Sequence, residues 1–268
     1  MKLPYLNGAR CGVRGALAFA ALWTVAVGAQ AVPGRQIVQS AYEQKRVPTM
    51  RVEIRMTIVE GSRQWQRTAT LESRQGPTGT QAQRFTFRTP PDLEGSSVLT
   101  VEDGGEDPAQ WVYIPAYHTS RRIAASQRGE AYLGTDYFYE DVLDKRWDEY
   151  RYQELGSETV AGKAVTKVEA APASESLKRI APYSRTVYYV DAEQKVIVRE
   201  DYYDKAGKLL KRLTNAALKP YGRYLLWDEA TIENVQTGHK TTSWITRRDV
   251  DVRLSEDLFT VRALKRPH

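Results

Sequence analysis

The sequence has 268 residues, 41% of them hydrophobic and 27% charged, with a formal net charge of +6 and one cysteine. This composition is that of a globular chain with enough apolar residues for a core, and its single thiol excludes an intramolecular disulfide framework and multi-cysteine zinc sites. The modest positive charge does not specify nucleic acid; an anionic membrane surface or an acidic protein fits it equally.

The first segment reads as an export signal. Lys2, Arg10 and Arg14 make a basic start, residues 16–27 are an apolar run, and Ala29-Gln30-Ala31 is an A-x-A cleavage site. The run is too short to cross a bilayer, which takes about 20 helical residues. Cleavage is expected after Ala31, leaving residues 32–268 as a single domain of a soluble, periplasmic protein. The signal holds three basic and no acidic residues, so its removal lowers the formal charge from +6 to +3. Cys11 precedes the apolar run, so a lipid anchor on it is not expected, and the mature chain carries no thiol.

Residues 32–46 read as a helix, with Ile37, Val38, Ala41 and Tyr42 on one face and Pro48 ending it. The period then changes to two. Met50, Val52, Ile54, Met56 and Ile58 alternate with Arg51, Glu53, Arg55 and Thr57, as in a strand with one wet face. Further strands are expected near 65–73, 84–88, 97–102, 110–115, 119–124, 150–155, 164–170, 186–190, 196–203, 208–217, 223–234 and 240–252. Turns such as Asp204-Lys205-Ala206-Gly207-Lys208 separate them. Residues 76–80 and 171–182 interrupt the series, and 174–180 can hold a helical turn. Residues 111–141 read as an aromatic strand, a basic crossing segment and a second aromatic strand closed by carboxylates. Residues 255–259 read as a turn that docks Phe259 on the sheet. Serial strands of this kind predict a mainly β fold with a few helices, a large antiparallel sheet curling into a barrel or half-barrel.

The residues suggest no catalytic chemistry. His118, His239 and His268 lie apart with no ligand at metal spacing, so no metal or other cofactor is expected. No G-x-S-x-G elbow pairs a serine with a base. Adjacent carboxylates such as Glu140-Asp141 point to opposite faces of a strand, so a structural salt bridge to Arg121-Arg122 is the expected role. The loop around Gly104-Gly105 matches no calcium-loop spacing. Aromatic residues sit at alternating strand positions rather than beside phosphate-neutralising side chains, so nucleic acid is not expected as a partner. What remains is an apolar sheet face, for which the candidates are Val52, Ile54, Met56, Ile58, Trp65, Leu71, Phe85, Phe87, Trp111 and Tyr113. Periodicity alone favours a filled core there. A loosely covered face would instead leave a cavity for acyl chains, each buried methylene contributing roughly 0.8 kcal/mol.

Four stretches carry a family resemblance. They are Phe85 with Thr89-Pro90-Pro91-Asp92-Leu93-Glu94-Gly95, then Gln110-Trp111-Val112-Tyr113-Ile114-Pro115, Arg121-Arg122-Ile123, and Gly134-Thr135-Asp136-Tyr137-Phe138-Tyr139-Glu140-Asp141. With the closing Leu254, Leu258, Phe259 and Leu264, they resemble the outer-membrane lipoprotein-sorting proteins of the LolA/LolB-like superfamily, closest to the branch that accompanies export pumps. The resemblance implies an unclosed β-barrel with a helical lid. It implies a cavity for lipid or lipoprotein acyl chains, an inner-membrane export pump as partner, and transient contact with membrane surfaces. The absence of a cysteine after the signal departs from the lipid-anchored receptor form. Arg121 and Arg122 are the candidate rim, meeting lipid headgroups or the pump. The second reading is a non-catalytic periplasmic scaffold that binds an envelope protein through a sheet edge.

Overall fold

In a computed structural model of the chain, the described residues are 1, 33–76, 81–102 and 107–266. The expected export signal with Cys11, its cleavage site, most of the 76–80 loop, Gly104-Gly105 and His268 lie outside them.

The first element is helix α1 (Gly34–Gln44), entered through Pro33 and burying Val38, Ala41 and Tyr42 on one stripe. Gly34 meets the sheet closely: a Cβ there would lie 3.1 Å from Val168 Cγ1 and 3.4 Å from the Glu154 amide nitrogen. Strands β1 (Thr49–Glu60), β2 (Arg63–Gln75), β3 (Gln81–Thr89), β4 (Ser97–Glu102), β5 (Ala109–Ile114) and β6 (Thr119–Arg122) follow. After a long non-strand connection come β7 (Tyr150–Val160), β8 (Lys163–Pro172) and the short helix α2 (Glu175–Ile180), capped by the Ser174 hydroxyl. The last strands are β9 (Arg185–Asp191), β10 (Val196–Tyr203), β11 (Leu209–Tyr221), β12 (Tyr224–Asn234) and β13 (Lys240–Val250).

All described strands belong to one sheet in the order β6-β5-β4-β3-β2-β1-β13-β12-β11-β10-β9-β8-β7. Every neighbouring pair is antiparallel. The first and last strands pair at the centre, and the two edges, β6 and β7, are consecutive in the chain. The sheet is therefore an unclosed barrel whose gap is crossed by residues 123–149 instead of by hydrogen-bonded strands.

Register assigns the faces. Val52 pairs with Leu71, Leu71 with Phe85, Phe85 with Val98 and Val98 with Val112, so these five share the inner face. That face has two covers. The crossing segment lays Tyr132 and Tyr139 on Val52, Ile54, Met56, Phe85 and Phe87. Helix α1 packs on Val168, Ala170, Tyr188, Val190 and Ile197 of β8–β10. On the outer face, the 3₁₀ turns Glu256–Phe259 and Val261–Lys265 place Phe259 and Leu264 against Ala82, Leu99 and Tyr113. Each such fully buried side chain contributes roughly 1.5–3 kcal/mol.

One expected element is absent. Residues 132–141 do not form a second aromatic strand; they form the 3₁₀ turns Tyr132–Gly134 and Tyr139–Val142 and a single bridge between Ala131 and Phe138. Leu133 and Gly134 have left-handed backbones (φ 50° and 71°), which breaks an extended run. The Asp141 carboxylate accepts the Phe138 amide at 2.7 Å and closes the second turn locally.

Candidate functional site

The crossing segment is held to the inner face by its polar residues. Lys211 extends from β11 into the interior, only 1% of its side chain exposed, and forms an ion pair with Asp141, whose side chain is 2% exposed. The Lys211 ammonium also donates to the Asp136 carbonyl at 3.1 Å and lies 3.6 Å from the Phe138 ring centre. Burial pushes the Lys211 amine below the ordinary lysine range, opposed by Asp141 and Asp136. The Tyr183 hydroxyl donates to Asp141 Oδ1 at 2.6 Å. The Asp136 carboxylate accepts the Thr241 hydroxyl at 2.6 Å and lies 2.7 Å from His239 Nδ1. The Thr-Asp-aromatic-x-Tyr-Glu-Asp signature is thus a clasp joining the crossing segment to β11 and β13.

This corrects the expected ion pairing. Arg121 and Arg122 do not bridge Glu140 and Asp141. Arg121 donates to Gln127 Oε1 at 2.8 Å and Arg122 lies over Trp111, both on exposed edge strand β6. Asp141 takes the buried Lys211 because desolvation favours the partner that is already inside. His118 occupies an exposed turn with a left-handed backbone.

Cavities remain between the two covers. One of about 340 Å³ is bounded by Tyr42, Lys45, Met50, Leu71, Tyr137 and Glu200, among others. A neighbouring one of about 240 Å³ shares Lys45, Met50, Glu200 and Leu213. Both adjoin the C-terminal turn of α1. The apolar face is therefore neither wholly filled nor a bare groove; Tyr132 and Tyr139 belong to a buried cluster on one part of it, and space remains beside α1.

Of the ten candidate residues, the inner face brings together Val52, Ile54, Met56, Ile58, Trp65, Leu71, Phe85 and Phe87. Leu71 lines the larger cavity. Val52, Ile54, Met56, Phe85 and Phe87 lie beneath the crossing segment, Ile58 is buried, and Trp65 is 39% exposed at the strand start. Trp111 and Tyr113 are on the wrong side: they pair with Leu99 and Ser97 on the outer face, where the C-terminal turns cover them. The Val98–Val112 pairing sets that parity, so β5 presents Gln110 and Val112 inward.

Sequence reasoning missed the polar part of the lining. Glu200 is 4% exposed and accepts the Tyr202 hydroxyl at 2.9 Å. Lys45 Nζ lies 3.8 Å and Lys145 Nζ 5.8 Å from the Tyr42 ring centre. Much of the Lys45 side chain is solvent-exposed, yet the protein around its amine desolvates it and holds it below the ordinary lysine range, with Glu200 opposing. Lys145 is desolvated too, but Glu200, Tyr150, Asp141 and Glu140 outweigh this and raise it. The signal was masked by bulges: the shift between Ile197 and Arg199 sets Glu200 opposite Tyr188 on the face of Ile197, while Val198 packs on the other side with Val165, Val187 and Tyr189; the shift at Tyr202 sets Lys211 opposite Tyr202 and Leu209 opposite Tyr203. Among the described residues no group of three or more His, Cys, Asp or Glu could hold a metal ion, and no helix is long and apolar enough to cross a membrane.

An unclosed antiparallel sheet with a helix and a clasped segment over its inner face defines a LolA-like fold, which solved structures share. One is described as an outer membrane lipoprotein-sorting protein domain from Vibrio parahaemolyticus (24% identity, TM-score 0.81, covering 87% of this chain and 98% of the other). A DUF1329 family protein from Desulfovibrio piger is 26% identical, with a TM-score of 0.80 over 86% of this chain and 97% of its own. A LolA superfamily protein from Nitrosomonas europaea is 16% identical, with a TM-score of 0.68 over 87% and 100%. The resemblance carried by the four motif stretches is borne out. Residues 79–266 match the model of a family described as an uncharacterized protein family, and the chain belongs to it. No curated protein matches the sequence.

Proposed function

We propose that the protein is a periplasmic carrier. It takes lipid or lipoprotein acyl chains into the cavities between α1, the crossing segment and the sheet, and moves them between inner and outer membrane. The observation that carries this reading is the incomplete packing of the inner face, about 340 Å³ and 240 Å³ of space beside α1. Transfer from water of an acyl chain into such space is favourable in proportion to its apolar area. The similarity to a lipoprotein-sorting domain supports the same role, and the N-terminal signal supports export. An inner-membrane export pump is the partner we favour, with Arg121 and Arg122 on β6 offering the rim contact to it or to lipid headgroups. We assign the protein no reaction and no cofactor.

Native mass spectrometry of the mature protein, followed by organic extraction and exposure to lipid vesicles, tests the proposal. Bound lipid at near-stoichiometric level is expected. A protein that binds neither lipid nor a hydrophobic fluorophore while folded refutes it and leaves the edge-binding scaffold. Charge reversal of Arg121 and Arg122 together is expected to lower lipid recovery or pump binding; no change in either removes them from the rim.

A further inference from the structure

The inner face holds charges that an acyl-chain carrier does not need. Glu200 is almost wholly buried, with a tyrosine hydroxyl as its hydrogen-bond partner. Lys45, from the end of α1, and Lys145, from the end of the crossing segment, converge on the ring of Tyr42. Among the described residues, none of these three side chains forms an ion pair within 4.0 Å. The fold closes such pairs elsewhere around the same cavity: Arg46 meets Asp144 at 2.9 Å, and Lys211 meets Asp141. Glu200 and Lys45 line both cavities beside α1, and Lys145 lies 5.8 Å from the centre of the Tyr42 ring that bounds the larger one.

We propose that Glu200, Lys45 and Lys145 form a recognition site for the headgroup of a zwitterionic phospholipid, the lysines receiving the phosphodiester and Glu200 the ammonium. This inference rests on the carrier reading and narrows its cargo. Burying a carboxylate with no cation in ion-pair contact is unfavourable, so open charges in the cavity lining are a specificity device. A site built to bond polar groups rejects a ligand that lacks them, because its own groups are then left unpaired. Glu200 and Lys45 bring opposite charges to the lining of the same cavities, and a zwitterionic headgroup presents the complementary pair. A phosphate without an ammonium would leave Glu200 facing an anion, and an uncharged glycerol headgroup would leave all of the charges unanswered.

The test incubates the folded mature protein with vesicles of equimolar phosphatidylethanolamine, phosphatidylglycerol and diacylglycerol. The protein is then repurified and its bound lipids are quantified, with uptake of a fluorescent fatty acid measured in parallel. The wild type is expected to favour phosphatidylethanolamine over each of the others by at least about tenfold. Glu200→Gln is expected to lose the ethanolamine-over-glycerol preference, with bound phosphatidylethanolamine falling to the level of phosphatidylglycerol. Lys45→Ala/Lys145→Ala is expected to bring both phospholipids down to the diacylglycerol level. Fatty-acid uptake without headgroup preference in the wild type overturns this inference and leaves the carrier standing. Uptake of neither lipid nor fatty acid overturns both. An unchanged preference in Glu200→Gln removes Glu200 from the site.

Discussion

Glu102→Gln isolates one buried carboxyl beside the crossing segment. Glu102 ends β4, is 8% exposed, and accepts the Asp144 amide at 2.9 Å. Burial raises its pKa from 4.5 to about 7; the Asp144 carboxylate adds to the rise, while the Asp144 amide, Arg146 and Arg128 oppose it. The folded state therefore holds a proton that the unfolded state has already released. Between pH 4.5 and 7 the native form binds more protons, so stability falls as pH rises, and the contribution is fully present only below pH 4.5. At 1.36 kcal/mol per pKa unit, the loss across this window is on the order of 3 kcal/mol. Gln keeps the carbonyl that accepts the Asp144 amide and cannot ionise. The stability difference between Glu102→Gln and wild type is thus expected to be near zero at pH 4.5 and to reach roughly 3 kcal/mol in favour of the variant at pH 8. For a domain of this size that is a gap of about 6–12 °C in melting temperature. Calorimetry of both proteins from pH 4.5 to 8 measures it. Parallel curves, offset by the same amount at every pH, would refute the reasoning, since the offset would then come from packing and not from proton linkage.

Other expectations concern the clasp, the outer face and a turn. Lys211→Met leaves Asp141 buried and unpaired and is expected to cost about 3–5 kcal/mol, most of it recovered in Lys211→Met/Asp141→Leu; urea midpoints of the single and double variants decide this. Phe259→Ala empties the outer-face cluster with Leu99 and Tyr113 and is expected to cost about 3–5 kcal/mol, with fatty-acid uptake unchanged because the cavities lie on the other side of the sheet. Gly95 has φ +77°, and a Cβ there would meet Pro115 Cγ at 3.2 Å. Gly95→Ala is expected to lower stability by about 1–2 kcal/mol, read from the same urea curves.

Much of the sheet was legible in the sequence because period-two alternation and turn residues are local signals. The bounds of β4 and β10 were read without error, and α2 was expected from residues 174–180. What failed depended on register or on distant partners. Alternation in β5 cannot say which parity faces inward, and the bulkier Trp111 and Tyr113 were assigned to the face that Val112 occupies. The aromatic run at 132–141 has strand composition, but the left-handed Leu133-Gly134 step turns it into a clasp. Lys211 is 70 residues from Asp141, so their pairing could not be read from local spacing. The charged floor was missed because bulges in β10 and β11 break strict alternation, so spacing alone does not show that Glu200 and Lys211 face inward.

The pairing of β1 with β13 sets a schedule for the whole molecule. During synthesis, β1 emerges early and can pair with β2 at once, but its other edge finds its partner only when residues 240–250 arrive. Until then an apolar strand at the centre of the future sheet is an open template for other chains. Closing so long a loop is slow in proportion to its entropy. The protein therefore cannot mature piecemeal from its N-terminus, and a chain truncated before β13 is a candidate for aggregation rather than for partial function. A circularly permuted chain that starts in the 123–149 connection would invert that schedule, making the central pair a local hairpin and leaving the native gap where the new ends fall.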